Sequence, residues 1–189
     1  MNHIEIEFKI LITQQLYQEI VKAYESKKSG DYIQTNYYLF HPQFEKNKYS
    51  LRIREKNGQY ELTLKTPTSK GLYEYNEIID QPTKDLIFQH QPVSNPIFER
   101  LKSEGIDYHE LECGHYLTTH RIDIPFQYGI LSLDANEYNG IKDYELEFEV
   151  NDYEKGYQQF LEIITPFHLT YTENCTSKNR RMKASLKNK

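Results

Sequence analysis

The sequence predicts an α+β fold: a closed eight-stranded antiparallel β-barrel with helices packed outside. It reads as a single domain over residues 1–189, with a helical insertion at about 83–105. Three observations lead there. Segment after segment alternates charged and apolar residues at a spacing of two, the period of a β-strand. Most connections between these segments are short, which joins neighbouring strands antiparallel. The helical segments each carry one apolar stripe, and the apolar strand faces are the partners available to cover it.

The opening stretch sets the pattern. Ile4, Ile6, Phe8, Ile10 and Ile12 share one face, and Glu5, Glu7 and Lys9 share the other. Thr13 can cap a helix with the stripe Leu16, Tyr17, Ile20, Val21 and Tyr24, ending near Gly30. Strands follow at about 33–40, 49–56, 60–66 and 72–79. Asn57-Gly58 marks a tight hairpin between two of them, and residues 67–71 form a loop. Residues 83–91 and 95–104 read as two short helices, the second with Pro96 in its first turn and Gly105 just past its end. Strands at about 115–123, 130–138 and 143–150 complete the set. A helix at 152–164 is stopped by Pro166, and a basic tail contains Lys178, Arg180, Arg181 and Lys183.

Composition narrows the class. A chain of 189 residues with 17 Tyr and no Trp suits a β-rich fold with many half-buried aromatics. A net charge of −5 gives no basic footprint, so duplex nucleic acid is not an expected partner. Cys113 and Cys175 are expected as free thiols in a reducing compartment. The charged N-terminus does not read as a signal peptide, and no apolar run approaches spanning length; a cytoplasmic protein with no membrane partner is expected.

A charged strand face is commonly a solvent face. Here the outer helices need the apolar faces, which turns the charged faces inward onto a polar tunnel. The predicted lining is Glu5, Glu7, Lys9, Arg52, Arg54, Glu61, Lys65, Arg121, Asp134, Glu145 and Glu147. Such a set cannot sit in a dry core; it needs water and interleaved cations and anions. Arg forks and Lys point charges match phosphate oxygens. Carboxylates without His or Cys favour Mg²⁺ or Mn²⁺. Glu61 is about as expected to be a counter-ion, and Asp123 and Glu77 read as surface.

Glu5-x-Glu7-x-Lys9 is followed in order by Thr35-Asn36-Tyr37-Tyr38, Leu51-Arg52-Ile53-Arg54, Leu62-Thr63-Leu64-Lys65 and Leu72-Tyr73-Glu74-Tyr75-Asn76. Arg121, Asp134, the alternating Glu145, Glu147 and Glu149, and Ser177-Lys178-Asn179-Arg180-Arg181 then complete the series. This set resembles the CYTH superfamily, the triphosphate tunnel metalloenzymes, in the branch of small bacterial proteins. Leu39-Phe40-His41-Pro42 departs from the family pattern near the tunnel mouth.

The resemblance implies metal-dependent hydrolysis of a triphosphate: inorganic triphosphate first, nucleoside or thiamine triphosphate next. Glu5, Glu7, Glu74, Asp134, Glu145 and Glu147 would be metal ligands, with Glu149 near the rim. Arg52, Arg54, Lys65, Arg121, Lys178 and Arg181 would be substrate ligands, and Glu5, Glu7 and Lys9 catalytic residues. A monomer or homodimer is expected. Tunnel-type adenylate cyclase and non-catalytic polyphosphate binding are the other classes.

Overall fold

The computed structural model describes residues 3–69 and 71–186; residues 1–2, residue 70 in the 67–71 loop and residues 187–189 lie outside the described residues. The described strands are β1 (His3–Glu5), β2 (Glu7–Ile12), β3 (Gly30–Phe40), β4 (Ser50–Lys56), β5 (Gln59–Pro67), β6 (Leu72–Ile79), β7 (Glu112–Phe126), β8 (Gly129–Tyr138) and β9 (Ile141–Val150). Their order in the sheet is β1-β6-β5-β4-β3-β7-β8-β9-β2. Nine described strands stand where eight were expected, because the opening strand is interrupted at Ile6. Its two pieces begin and end the order.

The helices are α1 (Gln14–Ala23), α2 (Pro42–Asn47), α3 (Gln81–Phe88), α4 (Pro96–Ser103), α5 (Tyr153–Ile164) and α6 (Lys178–Leu186). Side chains cap several of them. Thr13 accepts from Leu16 N–H on α1, Asn95 from Ile97 N–H on α4, and Asp152 from Lys155 N–H on α5. Helix α1 stops at Ala23, short of the expected Gly30, and a 3₁₀ turn at Glu25–Lys27 fills the gap. Helices α2 and α6 are absent from the sequence-based expectations. His41-Pro42 opens α2, with the His41 ring accepting from Gln43 N–H. That motif therefore starts a helix.

The chain forms two compact units: Met1–Ile4 with Gln34–Leu117, and Glu5–Ile33 with Thr118–Lys189. Each has its own apolar core. In the first, Leu51 and Ile53 of β4 and Leu62 and Leu64 of β5 pack with Ile87 of α3 and Ile97, Phe98 and Leu101 of α4. The β4–β5 hairpin turns through Asn57 (φ 53°) and Gly58 (φ 75°), the paired positive angles a two-residue turn needs. In the second, Phe8 of β2 and Leu146 and Phe148 of β9 pack with Ile20 of α1 and Phe160 of α5. A Cβ added at Gly156 of α5 would lie 2.5 Å from Val150 Cγ1, so only glycine allows this helix its approach to β9. In both units the apolar strand faces meet helices, as the charge alternation predicted.

Candidate active site

In the second unit, strand register turns the charged faces into a grid. Arg121 of β7 pairs with Asp134 of β8, which pairs with Glu145 of β9. One rank along, Asp123 pairs with Ser132, Ser132 with Glu147, and Glu147 with Lys9 of β2. Residues opposite one another in an antiparallel pair share a face, so these side chains converge.

The contacts follow. Arg121 forks onto Asp134, donating from Nε to Oδ1 at 2.7 Å and from Nη2 to Oδ2 at 2.6 Å. The same Nη2 also donates to Glu147. Lys9 Nζ donates to Glu7. Asp123, expected at the surface, is half-buried instead. Its carboxylate accepts from Tyr32 OH and Ser132 Oγ, each at 2.7 Å, because it shares the Arg121 face of β7. Glu149 is exposed, in keeping with a place at the rim, and Glu5 is half-buried at the end of β1.

Two further cations come from α6. Lys178 Nζ stands 2.8 Å from Asp134, 2.9 Å from Glu145 and 2.7 Å from Glu147, three carboxylates meeting at one ammonium. Arg181 donates from Nε to Asp143 at 2.9 Å and from Nη2 to Glu145. A spacing of three puts both side chains on one helix face, and Met182, fully buried, anchors the helix. Lys178 and Arg181, expected on substrate, sit on the carboxylates in this structure.

Asp134 and Glu145 are fully buried. Burial pushes the Glu145 carboxyl up to about 7; Lys178 pulls it down, and neighbouring Glu147 adds to the rise. Burial also acts to raise Glu147, but Lys178 and Arg121 outweigh it and hold Glu147 well below the usual carboxylate range. Burial disfavours the Lys9 ammonium, yet Glu7 and Glu147 hold its pKa above the ordinary value.

The first unit carries a second row. Asn36 and Tyr38 of β3, Arg52 and Arg54 of β4, Glu61, Thr63 and Lys65 of β5, and Glu74 and Asn76 of β6 lie opposite one another in register. Lys65 Nζ is 2.5 Å from Glu74, and Arg54 Nε donates to Asn36 Oδ1 at 3.1 Å. Arg52 Nε is buried without a hydrogen-bond partner among the described residues, a donor held ready for an acceptor oxygen. Burial would raise Glu74; Lys65 and then Arg52 overcome it and bring the carboxyl to about 2. Glu74, expected as a metal ligand, here stands among cations.

The second unit offers what a hard divalent cation takes: carboxylate oxygens converging on one buried point, with no His or Cys in the cluster. Among the described residues no three His, Cys, Asp or Glu side chains form a metal-holding group by themselves, since the three carboxylates close on Lys178.

Comparison with known proteins now bears on identity. The CYTH domain matches residues 3–175. The chain belongs to the CYTH family. It is 33% identical, over 91% of its length and 90% of the other's, to the Bacillus subtilis (strain 168) protein named "Putative triphosphatase YjbK". A solved structure from Bacillus halodurans, described as a "putative adenylate cyclase", is 30% identical; the match covers 95% of this chain and 97% of that one, with a TM-score of 0.87. A Hippeastrum protein, "Putative adenylyl cyclase HpAC1", matches at a TM-score of 0.77 and 23% identity over 96% of each chain and shares the fold. The CYTH match ends at Cys175, so the α6 cations lie outside it.

Proposed function

We propose that this CYTH protein is a divalent-metal-dependent triphosphatase, with inorganic triphosphate its leading substrate. The observation that carries the reading is the closure of Asp134, Glu145 and Glu147 on a single cation position. Glu7 and Glu5 of the opening strand are proposed to complete the ligand set. The bound Mg²⁺ or Mn²⁺ would neutralise charge on the phosphate oxygens and lower the pKa of an attacking water. Arg52, Arg54 and Lys65 bind and orient phosphate oxygens, with Arg52 Nε as an unused donor. Arg121 neutralises Asp134 and Glu147 and keeps them aimed. Lys178 holds the carboxylates together; these carboxylates would hold the divalent cation, and the Lys178 ammonium would then serve phosphate. Lys9 orients phosphate beside Glu7. No covalent intermediate is required.

The test is product analysis on purified protein with Mg²⁺ or Mn²⁺, offering inorganic triphosphate, ATP and thiamine triphosphate in turn. Metal-dependent release of phosphate is the expected result. Cyclic nucleotide and pyrophosphate from ATP would support the cyclase reading, which the 30% identical Bacillus halodurans relative favours by its description. Binding without turnover would leave a polyphosphate-binding domain.

A further inference from the structure

β2 ends the sheet order, with β9 along one edge and no described strand along the other. Its even residues bond toward β9, as Val150 N–H does to Ile6 O at 2.9 Å. The N–H and C=O groups of Glu7 and Lys9 therefore face the open edge, where an unpaired backbone group is costly and the strand is free to twist. These are two of the proposed catalytic residues.

One side chain closes that edge. Asn174 Oδ1 accepts from Lys9 N–H at 2.8 Å, and Asn174 Nδ2 donates to Glu7 O at 2.9 Å. Cys175 N–H then donates to Lys9 O at 3.1 Å. A side-chain amide and the peptide after it thus do the work of a neighbouring strand, gripping β2 on both sides of Phe8. The amide cannot flip, because Lys9 N–H can only donate and Glu7 O can only accept; Tyr171 OH also donates to Oδ1 at 3.0 Å. The Tyr171 ring in turn packs edge-on against Phe8, with centroids 5.7 Å apart.

We propose that Asn174 is a positioning residue for the site. It fixes the pitch at which β2 presents Glu7 and Lys9 toward the carboxylates of β9. It also ties that strand to the start of α6, four residues before Lys178. The proposal rests on the metal–triphosphate reading above. It calls for an amide, since Lys9 N–H requires an acceptor and Glu7 O requires a donor on the same planar group. Asp at 174 would set a carboxylate oxygen against Glu7 O, a repulsion that drives the side chain off the strand edge and gives up both bonds.

Three proteins test it: wild type, Asn174→Ala and the near-isosteric Asn174→Asp. Each is measured for Mn²⁺ binding by calorimetry, triphosphate turnover at saturating Mn²⁺, and amide exchange at Lys9, with melting temperature as the check on folding. Both variants should lose protection at Lys9, bind Mn²⁺ between about ten- and a hundredfold more weakly, and lose kcat by a similar factor. Asp should be no better than Ala. Deprotected Lys9 with wild-type Mn²⁺ affinity and kcat would reduce Asn174 to a structural clip and overturn the proposal, as would Asp behaving like wild type. Retained protection at Lys9 in both variants would show that Asn174 does not hold the strand. Should Asn174→Ala not fold, the same outcomes are read from Asn174→Asp. A wild type that neither binds Mn²⁺ nor turns over triphosphate would sink the functional reading itself, a failure seen without either variant.

Discussion

Two buried glutamates, one in each unit, titrate in opposite directions. Glu74 on β6 is held at about 2, and Glu145 on β9 is raised to about 7. Both lose water, and burial alone would raise both. The difference lies in the company. Glu74 has Lys65 and then Arg52 to draw it down. Glu145 shares Lys178 with Asp134 and Glu147, so the cation is divided three ways. In the linked cluster around Lys178, among the described residues, the carboxylates of Glu7, Asp134, Asp143, Glu145 and Glu147 pair with Lys9, Arg121, Lys178 and Arg181, and Asp123 adds to the acid side. The lesson is that burial sets the same push in both rows, and the local balance of cations and carboxylates decides which way each carboxyl moves.

The hardest blow to this contrast is removal of a cradle carboxylate. Glu147→Gln should cut metal-dependent phosphate release by more than about a hundredfold, beyond the loss usual for groups that only support a ligand. A phosphate-release assay across a Mn²⁺ series checks it, and near-wild-type rates at limiting metal would remove Glu147 from the ligand set. In the cationic row, Arg52→Ala and Lys65→Ala should each weaken a non-hydrolysed triphosphate about ten- to a hundredfold while leaving Mn²⁺ affinity unchanged, since a charge-assisted hydrogen bond contributes about 1.5–3 kcal/mol. Calorimetric titration separates the two ligands.

Lys178→Gln sharpens the comparison with opposite signs. Taking an ammonium out of an acid-rich cradle should tighten Mn²⁺ binding about tenfold, equivalent to about 1.4 kcal/mol, while triphosphate turnover falls. Weaker metal binding in this variant would mean that the ammonium organises the cradle rather than competing for it.

The pH responses should also part. Below about 7, Glu145 carries a proton that metal must displace, so Mn²⁺ affinity rises between pH 6 and 8 and then levels. For folding the sign is reversed. A carboxyl raised from 4.5 to about 7 favours the native state below its unfolded pKa, and that stability is lost as pH rises through 7. Glu74, lowered from 4.5 to about 2, contributes stability above 4.5 that is lost as pH falls toward 2, outside the working range. Glu145→Gln should flatten the metal profile near neutrality; an unchanged slope would assign the proton elsewhere. The smallest effect belongs to Glu149→Gln. Its side chain is exposed, and Mn²⁺ affinity should stay within about twofold, where a large loss would shift the late acidic pair one step along β9.

How much of this was legible depended on the range of the interaction. Alternation within a strand is local. The faces of β2, β4, β5 and β9 could be read from parity, and Arg121 and Asp134 joined them through the order of charged residues that resembles the CYTH family. What the chain hides is held by contacts distant in sequence. Helix α6 is too polar to announce itself as an amphipathic element, and its cations dock on carboxylates more than 30 residues earlier in the chain. Asp123 looks like surface until Tyr32, 91 residues away, reaches it. The break at Ile6 leaves no mark, since Ile suits a strand as well as its neighbours do. Asn174 is one of several polar residues in a loop, and only its 165-residue reach to Lys9 reveals it.

The interrupted opening strand has a consequence for how the molecule comes into being. β2 finds its partner on β9, with Phe8 opposite Phe148 and Ile10 opposite Leu146, some 140 residues later. During synthesis this amphipathic edge waits, unpaired, until nearly the whole chain has emerged. Long-range pairing of this kind carries a heavy loop-closure cost and slows folding. Meanwhile Phe8 and Ile10 offer a sticky surface to other nascent chains. The charges on Glu5, Glu7 and Lys9 interrupt that surface at every second position, so the residues proposed for the site would also act as gatekeepers against aggregation before the fold is complete.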